Sequence, residues 1–194
     1  MRRRSVCVFC ASSEQAAEIY NEAARELVRQ CLLCKLSVVY GAGAVGIMGI
    51  VADGYLQACG DIVGVIPEFM VQRGWHHRKL EHLEITPDMG SRKQKMRELS
   101  DGIIVLPGGC GTLEELLECI TQKQLGLYKG PIIILNTAGF YDALLQQLEE
   151  CVDQRMMRPE HTRLWAVART PEEAVRLFME LPDEQQPLEK RVLK

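Results

Sequence analysis

Two carboxylates, Glu114 and Glu115, stand just after the glycine-rich segment 107–112, which reads PGGCGT. The apolar run 102–106 before that segment predicts a strand buried on both faces, and apolar residues after it recur at helical spacing. A glycine loop between a buried strand and a helix predicts an anion site, because the first helical N–H groups are unpaired and the helix dipole favours a phosphate. The expected chemistry is that of a phosphate-bearing ligand held beside a carboxylate.

Two interpretations of Glu115 follow from its spacing. An ionised carboxylate beside a bound phosphate could act as a catalytic group, for example as a base that deprotonates or aligns an attacking water. The segment from Thr112 to Glu115 also fits a capping box, with Thr112 as the N-cap and Glu115 bonding back to the cap amide. Both interpretations place Glu115 in the first helical turn, where the dipole favours its ionised form. Spacing alone leaves both open.

Arg92 is the second residue that could carry chemistry. It lies on the apolar stripe of a predicted helix over 88–100, three residues after Met89. An arginine directed toward a core is expected to meet an anion, either a structural carboxylate or a bound phosphate.

Another glycine loop, the first along the chain, follows the predicted strand 36–40; the segment 107–112 is the second glycine loop. Gly41, Gly43 and Gly46 have the G-x-G-x-x-G spacing that brings backbone close to a phosphate. A dinucleotide site also needs an acidic residue about 20 residues further on, at the end of the next strand. Asp61 instead stands at the beginning of the third predicted strand, which counts against NAD.

Predicted strands alternate with helices along the chain. The strands are expected at 5–10, 36–40, 61–66, 102–106, 131–135 and 164–167. Helices are expected after a cap at Ser12 or Ser13, over 88–100, after the central loop, over 140–155, and from a Thr170 cap. This alternation predicts an α/β fold, a Rossmann-like doubly wound parallel sheet with helices on both faces.

The domain organisation is expected to be simple. Residues 1–181 should form a single nucleotide-binding domain, followed by a polar tail over 182–194 that frays or contacts a partner. Residues 67–87 look irregular, and the polar and aromatic segment 73–78 should be a loop. That loop is either solvated, at an interface, or in contact with substrate.

Composition excludes several classes of function. The net charge of −3 gives no basic field for nucleic acid or an anionic membrane. Neither a membrane-spanning run nor a signal segment is apparent, so a cytoplasmic location is expected. Cys7 and Cys10 should point to opposite faces of a strand, and Cys31 and Cys34 should continue an apolar helix stripe with Ile19. These placements, in a reducing compartment, disfavour zinc and disulfides.

Four motifs together resemble one family. Residues 107–115 resemble the P-G-G-x-G-T-x-x-E signature of the Lonely Guy family, which are cytokinin riboside 5′-monophosphate phosphoribohydrolases often mislabelled lysine decarboxylases. Residues 89–93 are similar to its M-x-x-R-K motif, residues 40–49 to its first glycine loop, and residues 8–13 to its opening strand and turn. Gly90-Ser91 stands where the family commonly has His-Glu, and Ala11 and Ala42 stand where it usually has glycine.

The resemblance implies hydrolysis of the N-glycosidic bond of a nucleoside 5′-monophosphate, either N6-modified AMP or AMP, to free base and ribose 5-phosphate. Arg92 and Glu115 would carry catalysis, and no cofactor or metal is expected. A homodimer or larger homo-oligomer is implied, with sites near the subunit interface. The residues expected to bind the nucleotide are Gly41, Gly43, Gly46, Met89, Lys93, Gly108, Gly109, Cys110, Gly111, Thr112, Leu113, Glu114 and Thr121.

Three other functions compete with hydrolysis. A non-catalytic protein could bind a nucleotide or a phosphorylated cofactor with the same loops. A DNA-processing partner with a similar core is disfavoured by the net negative charge. Lysine decarboxylation is disfavoured because no lysine stands in the context of a pyridoxal phosphate site.

Overall fold

The computed structural model describes residues 3–181, and seven strands within them form one parallel sheet. The strand order is β4-β3-β2-β1-β5-β6-β7. The strands are β1 (Ser5–Phe9), β2 (Ser37–Tyr40), β3 (Ile62–Pro67), β4 (Leu83–Thr86), β5 (Gly102–Val105), β6 (Ile132–Leu135) and β7 (Ala166–Ala168). Every pairing is parallel, which confirms the predicted doubly wound α/β fold.

Seven α-helices connect and cover these strands. They are α1 (Glu18–Leu33), α2 (Gly46–Gln57), α3 (Glu68–Gln72), α4 (Met89–Glu98), α5 (Cys110–Gln124), α6 (Asp142–Asp153) and α7 (Pro171–Glu180). Thr170 caps α7 as expected, since its hydroxyl accepts the N–H of Glu173 at 3.2 Å. None of the helices in the described part of the chain is long and apolar enough to cross a membrane.

Helices cover both faces of the sheet because side chains alternate along each strand. In β1, Val6 and Val8 pack in the cluster that includes α1, α2 and α7, whereas Phe9 packs in the cluster that includes α4 and α5. Cys7 and Cys10 fall in different clusters, which confirms their predicted placement on opposite faces.

The predicted stripe on α1 is only partly correct. Cys31 is buried, but Cys34 and Ile19 are exposed. Cys34 is the C-cap residue of α1, so it has left the buried stripe where the helix ends.

The prediction that Ser12 or Ser13 caps the first helix is wrong. The helix begins at Glu18, and the Ser13 hydroxyl instead accepts the N–H of Gln15 at 3.2 Å. Gly46 lies against this segment so tightly that a Cβ there would stand 2.4 Å from the Ser13 carbonyl oxygen. The chain after β1 is therefore held as a loop by its packing against the first glycine loop.

The region 67–87 contains more regular structure than its sequence indicates. It holds the short helix α3 and the edge strand β4, with residues 73–78 between them as the expected loop. Glu84 and Ile85 of β4 are exposed. An edge strand with exposed side chains lacks the continuous apolar run that identifies the central strands. The predicted polar tail over 182–194 lies outside the described residues.

Candidate active site

Arg92 and Glu115 form a buried ion pair between α4 and α5. Nη1 of Arg92 donates to Oε1 of Glu115, and Nε of Arg92 donates to the Val65 carbonyl oxygen at 3.3 Å. Only 4% of Arg92 and 6% of Glu115 is exposed. The anion that Arg92 was expected to meet is therefore the Glu115 carboxylate. The pair is therefore shielded from bulk water. In such a low-dielectric interior, hydrogen bonds between charged groups are stronger than in water.

The capping interpretation of Glu115 is wrong. Helix α5 begins at Cys110 with Gly109 as its N-cap, so Thr112 is the third helical residue and Glu115 lies in the second turn. The argument from the first-turn dipole fails for the same reason. Gly109 is the N-cap and Gly111 is the second helical residue. The helix therefore begins three residues earlier than an N-cap at Thr112 would predict.

Burial raises the pKa of Glu115 above its ordinary value, and the guanidinium of Arg92 opposes that shift. A carboxylate of raised pKa is a better proton acceptor than an ordinary glutamate, provided that it remains ionised. The adjacent guanidinium favours the ionised form. The environment of Glu115 therefore suits a general base.

The first glycine loop forms a wall of the Arg92 site. A Cβ at Gly41 would stand 1.9 Å from Nη2 of Arg92, and a Cβ at Gly43 would stand 2.6 Å from the Met48 sulfur. Gly46 has a positive φ of 59°. These three glycines are thus required for close packing and backbone conformation. Their contact with a phosphate stays a prediction.

The loop 73–78 supports this first glycine loop. The N–H of His77 donates to the Ala42 carbonyl oxygen at 2.8 Å, and Nε2 of His77 lies 3.2 Å from Oδ1 of Asp53. Ala42 has a φ of 59°, the left-handed conformation in which glycine is favoured. The buried His77 is a supporting residue that sequence patterns did not single out, because its partners lie on α2 and in the glycine loop.

The second glycine loop presents an open surface. A Cβ at Gly109 or Gly111 would meet nothing within 4 Å, whereas a Cβ at Gly108 would stand 2.2 Å from the Thr112 hydroxyl oxygen. The first N–H groups of α5 have no partner inside the helix. This surface at the start of α5 therefore combines free approach with backbone donors.

Lys93 is held by two carboxylates beside the central pair. Its Nζ binds a carboxylate oxygen of Glu114 and Oε2 of Glu118, the latter at 2.5 Å. Oε1 of Glu118 also accepts from Nη1 of Arg97 at 2.9 Å. These bonds join α4 to α5 as the Arg92–Glu115 pair does. Contact of Lys93 or Glu114 with substrate stays a prediction.

The other predicted binding residues lie around α4 and α5. Cys110 and Met89 are exposed at the first positions of α5 and α4, and Leu113 is half-buried. Thr121 is exposed further along α5, and its hydroxyl donates to the Leu117 carbonyl oxygen at 2.9 Å. Cys110, Met89 and Leu113 therefore lie near the helix starts, whereas Thr121 lies further along α5. Their roles stay predictions.

Comparison with known proteins gives one family. The family model described as "Possible lysine decarboxylase" matches residues 48–178. A probable cytokinin riboside 5′-monophosphate phosphoribohydrolase of Oryza sativa subsp. japonica is 38% identical over 90% of this chain and 71% of its own length. A cytokinin riboside 5′-monophosphate phosphoribohydrolase of Arabidopsis thaliana is 37% identical over 90% of this chain and 76% of its own length.

Solved structures of lower identity share the fold. The molybdenum cofactor binding protein from the phototrophic bacterium Rippkaea orientalis has a TM-score of 0.69 at 21% identity, covering 92% of this chain and 97% of its own. The molybdenum cofactor carrier protein of Chlamydomonas reinhardtii has a TM-score of 0.69 at 19% identity, covering 93% and 98%. At such identities the likeness is one of fold alone. By the family model and the curated relatives, the chain belongs to the Lonely Guy family.

Proposed function

We propose that the protein hydrolyses the N-glycosidic bond of a nucleoside 5′-monophosphate, of the N6-modified cytokinin type or AMP itself, to free base and ribose 5-phosphate. The observation that carries this proposal is the buried Arg92–Glu115 pair, because Glu115 lies on α5, the helix that begins at the open glycine loop. The curated relatives named above carry the name of this reaction.

The proposed division of labour follows the geometry. The phosphate binds the backbone N–H groups at the start of α5, with Gly109 and Gly111 allowing close approach. The sugar then lies toward Glu115, one and a half turns further along the helix. A guanidinium has five N–H donors, so Arg92 can bind a ligand oxygen while keeping its bonds to Val65 and Glu115.

The reaction breaks the bond between C1′ and the base nitrogen, whose electron pair leaves with the base. Positive charge develops on the ribose ring, and the ionised Glu115 stabilises that charge. A water oxygen bonds to C1′ and gives its proton to Glu115. The proton held by Glu115 finally passes through water to the departing base, so that neutral base and ribose 5-phosphate are released and the carboxylate is regenerated.

The test is a base-release assay by chromatography with AMP, N6-modified AMP, GMP and CMP, each beside its matching nucleoside. We expect release from a nucleotide, no comparable release from nucleosides, and loss of turnover in Glu115→Gln. Glu149→Gln, an exposed position on α6, is the matched control and should keep wild-type turnover. Near-normal turnover in Glu115→Gln would contradict the assignment of the base.

Other outcomes of the same assay separate the alternatives. Nucleotide binding without base release by the wild-type protein would indicate a non-catalytic carrier. Equal cleavage of nucleosides and nucleotides would show that the loop at α5 does not bind the phosphate.

We also infer that the described residues act as one nucleotide-binding domain and that the chain works as a homo-oligomer. Leu117 on α5 and Leu125 at the C-cap of α5 support assembly because both are large apolar side chains exposed at the surface. Light scattering of the purified chain tests this, and a monomer mass would contradict it. The cytoplasmic location, and the absence of nucleic-acid and membrane partners, stay predictions for cell fractionation and binding assays.

A further inference from the structure

Tyr141 contacts the chain at the point where the second glycine loop leaves the sheet. Its hydroxyl donates to the carbonyl oxygen of Leu106 at 2.7 Å, and its side chain is buried. Leu106 directly follows β5, and its N–H still donates to Phe9 in β1 at 2.9 Å. The next residue is Pro107, which opens the glycine loop. The Tyr141 hydroxyl is thus bonded to the last sheet-like peptide before that loop.

An elaborate turn after β6 brings Tyr141 to this position. Oδ1 of Asn136 accepts the Tyr141 N–H at 2.7 Å, and Nδ2 of Asn136 donates to Oδ1 of Asp142 at 2.7 Å. Ala138 and Gly139 both have positive φ values, 52° and 74°. A left-handed alanine is strained, and such conformations persist where surrounding contacts determine them. The turn is therefore built around fixed positions for Asn136 and Tyr141.

We propose that Tyr141 is a positioning residue for the hydrolysis: by binding Leu106 it fixes the glycine loop and the start of α5, and hence the placement of Glu115. This inference rests on the proposed function. Glu115 follows Leu106 on one continuous segment through the loop and the first turn of α5, so a displaced carbonyl at Leu106 moves the phosphate donors and Glu115 together.

The electrostatic surroundings agree with this geometry. Burial raises the pKa of Tyr141, and the nearby Cys10 and Glu115 raise it further. The hydroxyl therefore keeps its proton and remains a donor at neutral pH.

The chain offers a matched control for this bond. Tyr55 is also buried, and its hydroxyl donates to the Leu36 carbonyl oxygen at 3.2 Å. Leu36 stands just before β2, at the amino ends of the parallel strands. The glycine loops leave from the opposite, carboxyl ends. Loss of either hydroxyl leaves one buried carbonyl without its donor, so both variants should lose comparable stability. Only Tyr141→Phe should alter the reaction.

The experiment compares wild type, Tyr141→Phe and Tyr55→Phe by kcat and KM for the cleaved nucleotide, by urea unfolding, and by calorimetric binding of ribose 5-phosphate. We expect kcat/KM to fall about tenfold or more in Tyr141→Phe, through both parameters, and ribose 5-phosphate to bind more weakly. Tyr55→Phe should keep wild-type values. Equal kcat/KM and equal ribose 5-phosphate affinity in the two variants would overturn the proposal.

Two further arms keep the test decisive. If Tyr141→Phe does not fold, Asp142→Ala removes only the acceptor of the Asn136 amide, and wild-type kcat/KM in that variant counts against the proposal. If wild type releases no base, the proposed function fails, while ribose 5-phosphate affinity still tests Tyr141. If wild type shows neither base release nor ribose 5-phosphate binding, both proposals fall.

Discussion

Arg92 and Glu115 are each other's buried partner, although they are carried by different helices on the same face of the sheet. Their charges are almost completely withdrawn from water. A buried pair of this kind contributes little net stability, because desolvation offsets the attraction, but removal of one partner leaves an uncompensated charge. The pair therefore couples the integrity of the fold to the chemistry of the site.

This coupling predicts strongly non-additive variants. Arg92→Met and Glu115→Leu should each lower the free energy of unfolding by about 3–5 kcal/mol, whereas the double variant should lose much less. Urea denaturation of the four proteins measures the interaction energy. Arg176→Met breaks an exposed pair with Glu180 and should change stability by less than about 1 kcal/mol. Additive losses in the double variant would show that the pair is not coupled.

The pH dependence of the reaction should report the pKa of Glu115. Because burial raises that pKa above the ordinary value of 4.5, the base loses its activity at a higher pH than an exposed glutamate would. We expect the acid limb of kcat/KM to have its midpoint above 4.5. An acid limb at or below 4.5 would contradict Glu115 as the base.

The raised pKa of Glu115 also determines how pH changes the free energy of unfolding. The native carboxylate holds a proton more tightly than the unfolded chain does, so protonation favours the native state. Above the raised pKa, burial of the charged carboxylate lowers the free energy of unfolding. As the pH falls through that pKa, the carboxylate is protonated and this loss of stability disappears. Comparison of wild type with Glu115→Gln by urea unfolding across this range isolates that contribution.

The central strands and both glycine loops could be predicted because the local pattern determines them. β5 and β6 are continuous apolar runs buried on both faces, and a glycine loop after such a run marks a ligand edge. The burial of Arg92 was also predictable, since an arginine on an apolar stripe needs an anionic partner.

The features of the fold and the site that could not be predicted depend on contacts between distant parts of the chain. The bond from Tyr141 to Leu106 joins residues 35 positions apart and leaves no local pattern. The start of α1 is set by packing of Gly46 against Ser13, and the start of α5 by glycines whose helical conformation the sequence does not fix. The strand β4 was not predicted, because an exposed edge strand has no continuous apolar run.

Gly41→Ala should disable the site without unfolding the chain. The added Cβ would occupy the position of Nη2 of Arg92, so the guanidinium must move away from Glu115. A displacement of about 1 Å can reduce turnover about a hundredfold. We expect kcat to fall by that order while the circular dichroism spectrum is retained.

Gly54→Ala is the control for crowding alone. Its Cβ would stand 2.8 Å from a Val28 methyl group in the core beside α1, away from Arg92. It should lose about 1–3 kcal/mol of stability and keep its kcat. Normal kcat in Gly41→Ala would mean that Arg92 tolerates displacement and does not act through its present position.

Gly111→Ala should separate stability from ligand binding. Gly111 is the second residue of α5, and a Cβ there meets nothing within 4 Å, so the folded chain accepts the methyl group freely. Alanine at a helical position stabilises by up to about 1 kcal/mol relative to glycine. The methyl group would nevertheless enter the space through which a phosphate approaches the N–H groups. Gly90→Ala, at the second position of α4, is the control for a methyl group added at a helix start; its Cβ would stand 3.2 Å from Oδ1 of Asp88, and KM should be unchanged. We expect Gly111→Ala to unfold at higher urea concentration than wild type while KM for the nucleotide rises about tenfold, and an unchanged KM would place the phosphate elsewhere.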